Sequence, residues 1–400
     1  MIRHLPAREF VLMMAMLTAM TALAIDAMLP ALAEIGGDLG VVRENNRQLV
    51  ISALFLGFAF GQIVYGPLSD RFGRKPGMYI GLGLFVMGCL LSMGAWSYSA
   101  MLAGRFLQGI GAAGPRIVCL ALIRDRYKGR EMARIMSFIV AVFVIVPTIA
   151  PALGQAILLV SGWRAIFGAL LAFAMTCLIW FAVRHPETLT PERKVPLSAG
   201  PLAAAVGEVG GSRRAVGYTA AAGLVFGGFL GYLNSAQQIF QEQFQVGSLF
   251  PAYFAALSLA FAASSYVNGR LVERHGMRKL AVRSLQAMCL LSAAFLVVLA
   301  QTAGAAPLWL FLAWGAAAFF CLGAVFGNVH SLAMEPFGHI AGIAAALIGS
   351  VTSLTSMLLG ASIGQFYDGT LLPLVGGFAV LGTASLGAMS WAGRGSPDDE

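Results

Sequence analysis

Apolar runs of about 20 residues recur along the chain from near residue 9 to near residue 392, separated by short charged segments. A helix of about that length crosses the roughly 30 Å of hydrocarbon in a bilayer. Twelve runs occupy about 9–31, 46–67, 76–95, 98–121, 132–158, 161–184, 215–236, 249–269, 279–300, 307–329, 340–365 and 373–392. Helices are the only open-ended structure that satisfies its own backbone in lipid. The pattern therefore predicts an all-α polytopic membrane protein with twelve transmembrane helices. The first run follows Arg3 and Arg8 and ends near Ala31-Leu32-Ala33, which mimics a signal peptide and its cleavage site. Its length, Asp26 near its far end and the eleven runs behind it predict a spanning helix instead.

One polar stretch is long. Residues 185–214, HPETLTPERKVPLSAGPLAAAVGEVGGSRR, are rich in proline, glycine and charge. They divide the chain into an N-terminal six-helix bundle at 1–184, a cytoplasmic linker at 185–214 and a C-terminal six-helix bundle at 215–400. Each half carries a charged motif between its second and third runs: GPLSDRFGRK at 66–75 and GRLVERHGMRK at 269–279. Gly66, Leu68, Asp70, Arg71, Gly73 and Lys75 match Gly269, Leu271, Glu273, Arg274, Gly276 and Arg278, each 203 residues later. Such a match suggests two parallel repeats about an axis along the membrane normal, with a site near the midplane between them.

Composition agrees: 58% of the 400 residues are hydrophobic and 11% are charged, against about 25% charged in an average soluble domain. If both termini lie on one side, 21 of the 26 Lys and Arg residues fall on that side, which the positive-inside rule makes cytoplasmic. Basic loops beside an anionic leaflet gain about 1 kcal/mol each. The net charge of +8 needs no further partner, and nucleic acid is not expected. Cys89, Cys119, Cys177, Cys289 and Cys321 fall one to a run, without metal-binding spacings, and read as packing residues. His4, His185, His275, His330 and His339 lie near run ends or in loops, so no metal site is expected.

G-x-L-x-D-R-x-G-R-K at 66–75 resembles the signature loop of the major facilitator superfamily, and RFLQGIGAAG at 105–114 resembles its fourth-helix motif. The resemblance covers nearly the whole chain. DAMLPAL at 26–32, PTIAPALG at 147–154, GWRAIF at 162–167 and MEPFGHIAG at 334–342 are similar to the bicyclomycin and chloramphenicol resistance branch of drug:proton antiporters. This implies two pseudo-symmetric six-helix bundles in a bacterial inner membrane. It further implies a monomer that exports small amphipathic compounds in exchange for protons by alternating access, is not an enzyme and uses no cofactor beyond the coupling proton. A proton-coupled importer or exporter of one metabolite would share the fold, and a non-transporting ligand sensor is a remoter reading. No Walker A pattern is present, so ATP is not the expected energy source. The resemblance also implies that Gly66, Asp70, Arg71, Gly73, Arg74 and Lys75 form a cytoplasmic latch holding one access state. As residues alone, they fit a topology signal of solvated charges as well.

Asp26 is the only acidic residue deep in a run, where a charge costs about 2.5 to 3.5 kcal/mol on insertion scales. Burial favours a protonated carboxyl and a nearby cation favours an ionised one, so a site with both is poised to exchange a proton for a cation. Asp26 lies about five residues from the outer end of the first run and Arg105 about seven from the outer end of the fourth. Asp26 is therefore the expected protonation site, with Arg105 the cation that tunes it or contacts substrate. An Asp–Arg pair that merely fixes two helices stays open. Arg116, eleven residues beyond Arg105, shares nearly the same helix face; it either lines a cavity or snorkels to the cytoplasmic surface. In the fifth run Pro147, Pro151 and Gly154 share a face and predict a kink, although only Pro151 and Gly154 match the antiporter motif of the resembling families. Tyr232, Asn234 and Gln237 near the outer end of the seventh run, and Asn328 in the tenth, are polar enough to bind a ligand or simply neighbouring helices.

Overall fold

The computed structural model describes residues 5–189 and 199–394. Those residues form fourteen α-helices: α1 (Ala7–Asp26), α2 (Leu32–Asp38), α3 (Leu49–Phe72), α4 (Arg74–Met93), α5 (Tyr98–Arg126), α6 (Gly129–Ser161), α7 (Trp163–Arg184), α8 (Ala199–Gly211), α9 (Arg213–Gln237), α10 (Phe250–His275), α11 (Met277–Gln301), α12 (Leu308–Met334), α13 (Ala341–Gln365) and α14 (Leu372–Gly393). All but α2 and α8 have at least the 20 residues of α1 and α4, and α6 has 33. Each of these twelve is long enough to cross a bilayer. α12 and α13 form one helical stretch, Leu308–Gln365, interrupted by a tight turn at Glu335–Ile340 whose second residue is Pro336.

The twelve long helices follow the twelve apolar runs with two departures. The first run was expected to be helical through residue 31, but α1 ends at Asp26 and the chain tightens at Leu29–Ala31 before α2. Pro30 favours the break, because in a continuing helix its ring would clash with the carbonyl four residues back, which is that of Asp26. Asp26 therefore lies within a broken helical path running from Ala7 to Asp38, farther from its outer end than the expected five residues. The second departure is the expected linker, 185–214. It contains α8, built largely from Ala and Gly, and the start of α9, where the Ser212 hydroxyl accepts a hydrogen bond from the Ala215 N–H at 3.3 Å. Residues 190–198 of that stretch lie outside the described residues.

The repeat is visible at two junctions. α3 ends at Phe72 and α10 at His275; α4 starts at Arg74 and α11 at Met277, so both keep the 203-residue spacing. At each junction one glycine turns the chain with a positive φ, 118° at Gly73 and 77° at Gly276. A side chain is disfavoured there.

The chain divides into two compact units, Met1–Ala199 and Gly200–Glu400. In the first, α5 packs along α3 and α4 and touches α1. Gly104 and Gly111 let α5 approach α4 closely: a Cβ on either would collide with Ser92 or with the Phe85 backbone. Small residues suit lipid, where helices associate by close packing rather than by hydrophobic force. In the second unit α9 packs on α12, α13 and α14. Its Tyr232 meets Phe319 edge-on at 4.8 Å and stacks on Phe254 at 5.7 Å.

Candidate functional site

The break after α1 leaves carbonyls without the N–H partners a continuing helix would supply. Leu23 O accepts the Ala27 N–H at 3.0 Å, while Ala24 O accepts from Arg105 Nη2 at 2.8 Å. Arg105 Nε donates to Val50 O at 3.2 Å and Nη1 donates to Gln108 Oε1, whose Nε2 reaches Cys89 Sγ at 3.0 Å. The guanidinium carbon also lies 5.8 Å from the Phe167 ring centroid. Arg105 thus ties α1, α3 and α7 to α5 and places a cation at the negative end of the α1 dipole.

Asp26 occupies the same last turn of α1 and is 4% exposed. Among the described residues its carboxylate has no hydrogen bond and no ion pair. Arg105 therefore meets the turn that carries Asp26 without pairing with it. The arginine expected to tune Asp26 or to touch substrate spends its donors on two backbone carbonyls and Gln108, and its side chain is fully buried.

The motif at 66–75 forms a second centre. Arg74 donates from Nε to Asp125 Oδ2 at 3.0 Å and from Nη1 to Ser69 Oγ at 3.0 Å and to Asp70 Oδ1. Glu187, beyond α7, caps the start of α4: Oε1 accepts the Arg74 N–H at 3.0 Å and Oε2 the Lys75 N–H at 2.9 Å. Lys75 Nζ donates to Ala182 O at 3.3 Å. A Cβ at Gly73 would lie 2.6 Å from Glu187 Oε2, so the glycine provides room for the cap as well as the turn. Arg71 is exposed over the Phe72 ring, and a Cβ at Gly66 would meet nothing within 4 Å. The paired members of the motif are Asp70, Arg74 and Lys75, and sequence reasoning missed their partners Asp125 and Glu187. The available signal was an acid among the basic residues of RDRY at 124–127 and another in HPETL at 185–189. Beside this cluster, His185 Nδ1–H donates to Pro186 O at 2.7 Å and its ring stacks on Phe181 at 4.9 Å. Burial pushes the His185 pKa below its ordinary 6.5, and the Lys75 and Arg126 charges add to the effect.

α6 runs unbroken through Pro147 and Pro151. Gly154 lies so close to α1 that a Cβ there would strike the carbonyl of Ala27, the residue after Asp26. In the second unit, Tyr232, Asn234 and Gln237 are each no more than 3% exposed. Gln237 Nε2 donates to Gln241 Oε1 at 3.2 Å and Glu242 Oε1 at 3.3 Å. The Asn234 side-chain oxygen has no hydrogen-bond partner among the described residues. Asn328 donates to Asn268 Oδ1 at 2.7 Å. All five residues expected to line a substrate cavity are buried, each no more than 4% exposed.

The family model described as Major Facilitator Superfamily matches residues 13–361. The chain belongs to the Major Facilitator Superfamily. A bicyclomycin resistance protein homolog of Haemophilus influenzae is 29% identical over 375 residues, covering 92% of this chain and 91% of its own. Multidrug resistance protein D of Escherichia coli is 27% identical over 389 residues, covering 93% and 94% of the two chains. The crystal structure of a D-xylose-proton symporter superposes with a TM-score of 0.71 at 14% identity, over 95% of this chain and 97% of that one, a likeness of fold alone. This superfamily member is a multi-pass membrane transporter rather than an enzyme, and its partners are a small-molecule substrate and the bilayer. For a facilitator, Asp26 and the cluster around Arg74 are different kinds of site: one is a lone buried carboxyl, the other a network of mutually satisfied charges.

Proposed function

We propose that this facilitator exports small amphipathic compounds from the cytoplasm in exchange for protons, and that Asp26 carries the exchanged proton. The supporting observation is the isolation of Asp26: it is buried, without a hydrogen bond or ion pair among the described residues, where Pro30 ends α1. Ionised and closed off from water, the carboxylate would be an uncompensated charge, which is costly. A bound proton removes that charge, and so does a substrate cation. One carboxyl that accepts either, but not both, couples the two fluxes. Each charge moved across the membrane contributes about 2.3 kcal/mol per 100 mV.

Drug export is further supported by the relatives named for bicyclomycin and multidrug resistance. In the same reading the protein is a monomer in the bacterial inner membrane with both termini cytoplasmic. The cluster of Asp70, Arg74, Asp125 and Glu187 latches the cytoplasmic ends of the first unit in one access state. Proteoliposomes with an imposed pH gradient test the proposal. Wild type is expected to move amphipathic dyes and drugs against the proton gradient, and Asp26→Asn is expected to lose the coupling while still binding them. Normal proton-coupled export by Asp26→Asn would remove Asp26 from the mechanism. Substrate flux running with the protons would establish import instead.

A further inference from the structure

Besides Asp26, the spans of the first unit hold two deep charged residues, Arg105 and Arg116. Arg105 has spent its donors. Arg116 on α5 is half-buried and has no hydrogen bond or ion pair among the described residues. Its guanidinium carbon lies 4.8 Å from the ring centroid of Phe143 on α6 and 5.8 Å from that of Phe58 on α3. Aromatic faces attract a cation. They consume none of its N–H donors, which lie in the guanidinium plane and match a carboxylate in a two-pronged fork.

Arg116 is ten residues from the end of α5 at Arg126, about 15 Å along the helix, and its guanidinium lies against two aromatic rings. α5 meets α3 through Gly109, whose Cβ would strike Leu54, and meets α1 where Thr21 Oγ1 donates to Ala112 O at 3.4 Å. On a helical wheel Arg116 falls on the arc between these two contacts and reaches the α6 ring across it. With one deep acid and two deep arginines, this unit lacks an anion, and the unspent donors are at Arg116.

We propose that Arg116, flanked by Phe58 and Phe143, holds the carboxylate of the transported compound, and that the compound is a zwitterionic amphiphile. This rests on the reading of Asp26 as the exchange site. Arg105, bonded to the turn that carries Asp26, is eleven residues from Arg116 along α5, about 16 Å. An elongated drug-sized molecule spans that distance with its carboxylate at Arg116 and its ammonium at Asp26. The ammonium displaces the proton from Asp26 and so couples export to proton entry. A simple anion would not, since an ionised Asp26 repels it.

Fluorescent ligands with one end altered at a time test the two ends separately. Nα-dansyl-Nε-(6-aminohexanoyl)-lysine carries a carboxylate and an ammonium about 16 Å apart when extended, its methyl ester lacks the carboxylate, and Nα-dansyl-Nε-hexanoyl-lysine lacks the ammonium. Binding is titrated by dansyl fluorescence on full-length protein in nanodiscs. The expected result is that esterification weakens binding to wild type about tenfold or more, the scale of a lost charge-assisted pair. In Arg116→Gln the acid and ester then bind alike, and Arg116→Lys recovers part of the difference. Size-exclusion profiles and binding of the ester show that both variants are folded. Equal binding of acid and ester by wild type, no binding of the doubly charged probe, or an undiminished acid preference in Arg116→Gln overturns the proposal. The hexanoyl arm reports on Asp26 alone. If removing the ammonium has no effect, or the same effect in wild type and Asp26→Asn, the exchange-site reading fails whatever the carboxylate arm shows.

Discussion

Removing the Glu187 carboxylate should loosen the start of α4 by a predictable amount. Its oxygens accept four backbone N–H groups: Arg74 at 3.0 Å, Lys75 at 2.9 Å, Thr188 at 2.9 Å and Leu189 at 3.0 Å. The first two belong to the opening turn of α4, whose N–H groups have no partner within the helix. Losing a side-chain cap costs about 0.5 to 2 kcal/mol, and losing an anion from a helix N-terminus about 0.3 to 1 kcal/mol. Glu187 is exposed, so water replaces part of what is lost and the lower half of the combined range applies. About 1.4 kcal/mol corresponds to about a tenfold rise in local opening.

Hydrogen–deuterium exchange by mass spectrometry, on protein in nanodiscs, reads this directly. In Glu187→Ala, peptides spanning 69–80 should exchange about tenfold faster. Glu187→Gln keeps an acceptor oxygen without the charge and should fall between it and wild type. Peptides around 272–283, at the corresponding junction in the second unit, should not change. Unaltered exchange at 69–80 in Glu187→Ala would refute the capping role and remove Glu187 from the latch.

Three further outcomes follow from the same geometry. Gly154→Val puts side-chain atoms against the Ala27 backbone, which cannot yield as a side chain does, so the thermal midpoint in detergent should drop by the equivalent of about 1 to 3 kcal/mol or more; an unchanged midpoint would show that α6 does not press on the α1 break. Arg105→Met leaves Ala24 O and the Gln108 amide without their donor at about 1 to 3 kcal/mol each and should melt well below wild type, whereas Asp26→Asn breaks no hydrogen bond and should melt close to it; equal midpoints would contradict the bonding described for Arg105. His185 has a folded-state pKa below its unfolded value of about 6.5, so the unfolded chain takes up the proton first as pH falls. The stability it contributes is complete above about pH 6.5 and is lost below it, by at most about 1.4 kcal/mol per pH unit. Melting at pH 5 and 7.5 should therefore differ less in His185→Gln than in wild type, and an equal difference would clear His185 of a role.

The sequence by itself determined what depends on the solvent. Lipid requires about 20 apolar residues per crossing, so twelve runs declared twelve helices, and the 203-residue spacing of the two charged motifs declared the repeat, down to the glycines at residues 73 and 276. The break in α1 was not declared in the same way: Pro30 disfavours a continuing helix, yet Pro147 and Pro151 lie within an unbroken α6, so a proline alone does not fix where a helix ends. Tertiary structure decided the pairings. Nothing in the spacing of Asp26 and Arg105 shows that the arginine bonds to Ala24 O instead of to the carboxylate, because the result depends on which carbonyls the break leaves free and where α5 crosses them. Asp125 and Glu187 lie 51 and 113 residues from Arg74 and join it only through helix packing. Periodicity tells which residues must leave water; only the fold tells which charge within a span finds a partner and which, like Asp26 and Arg116, is left without one among the described residues.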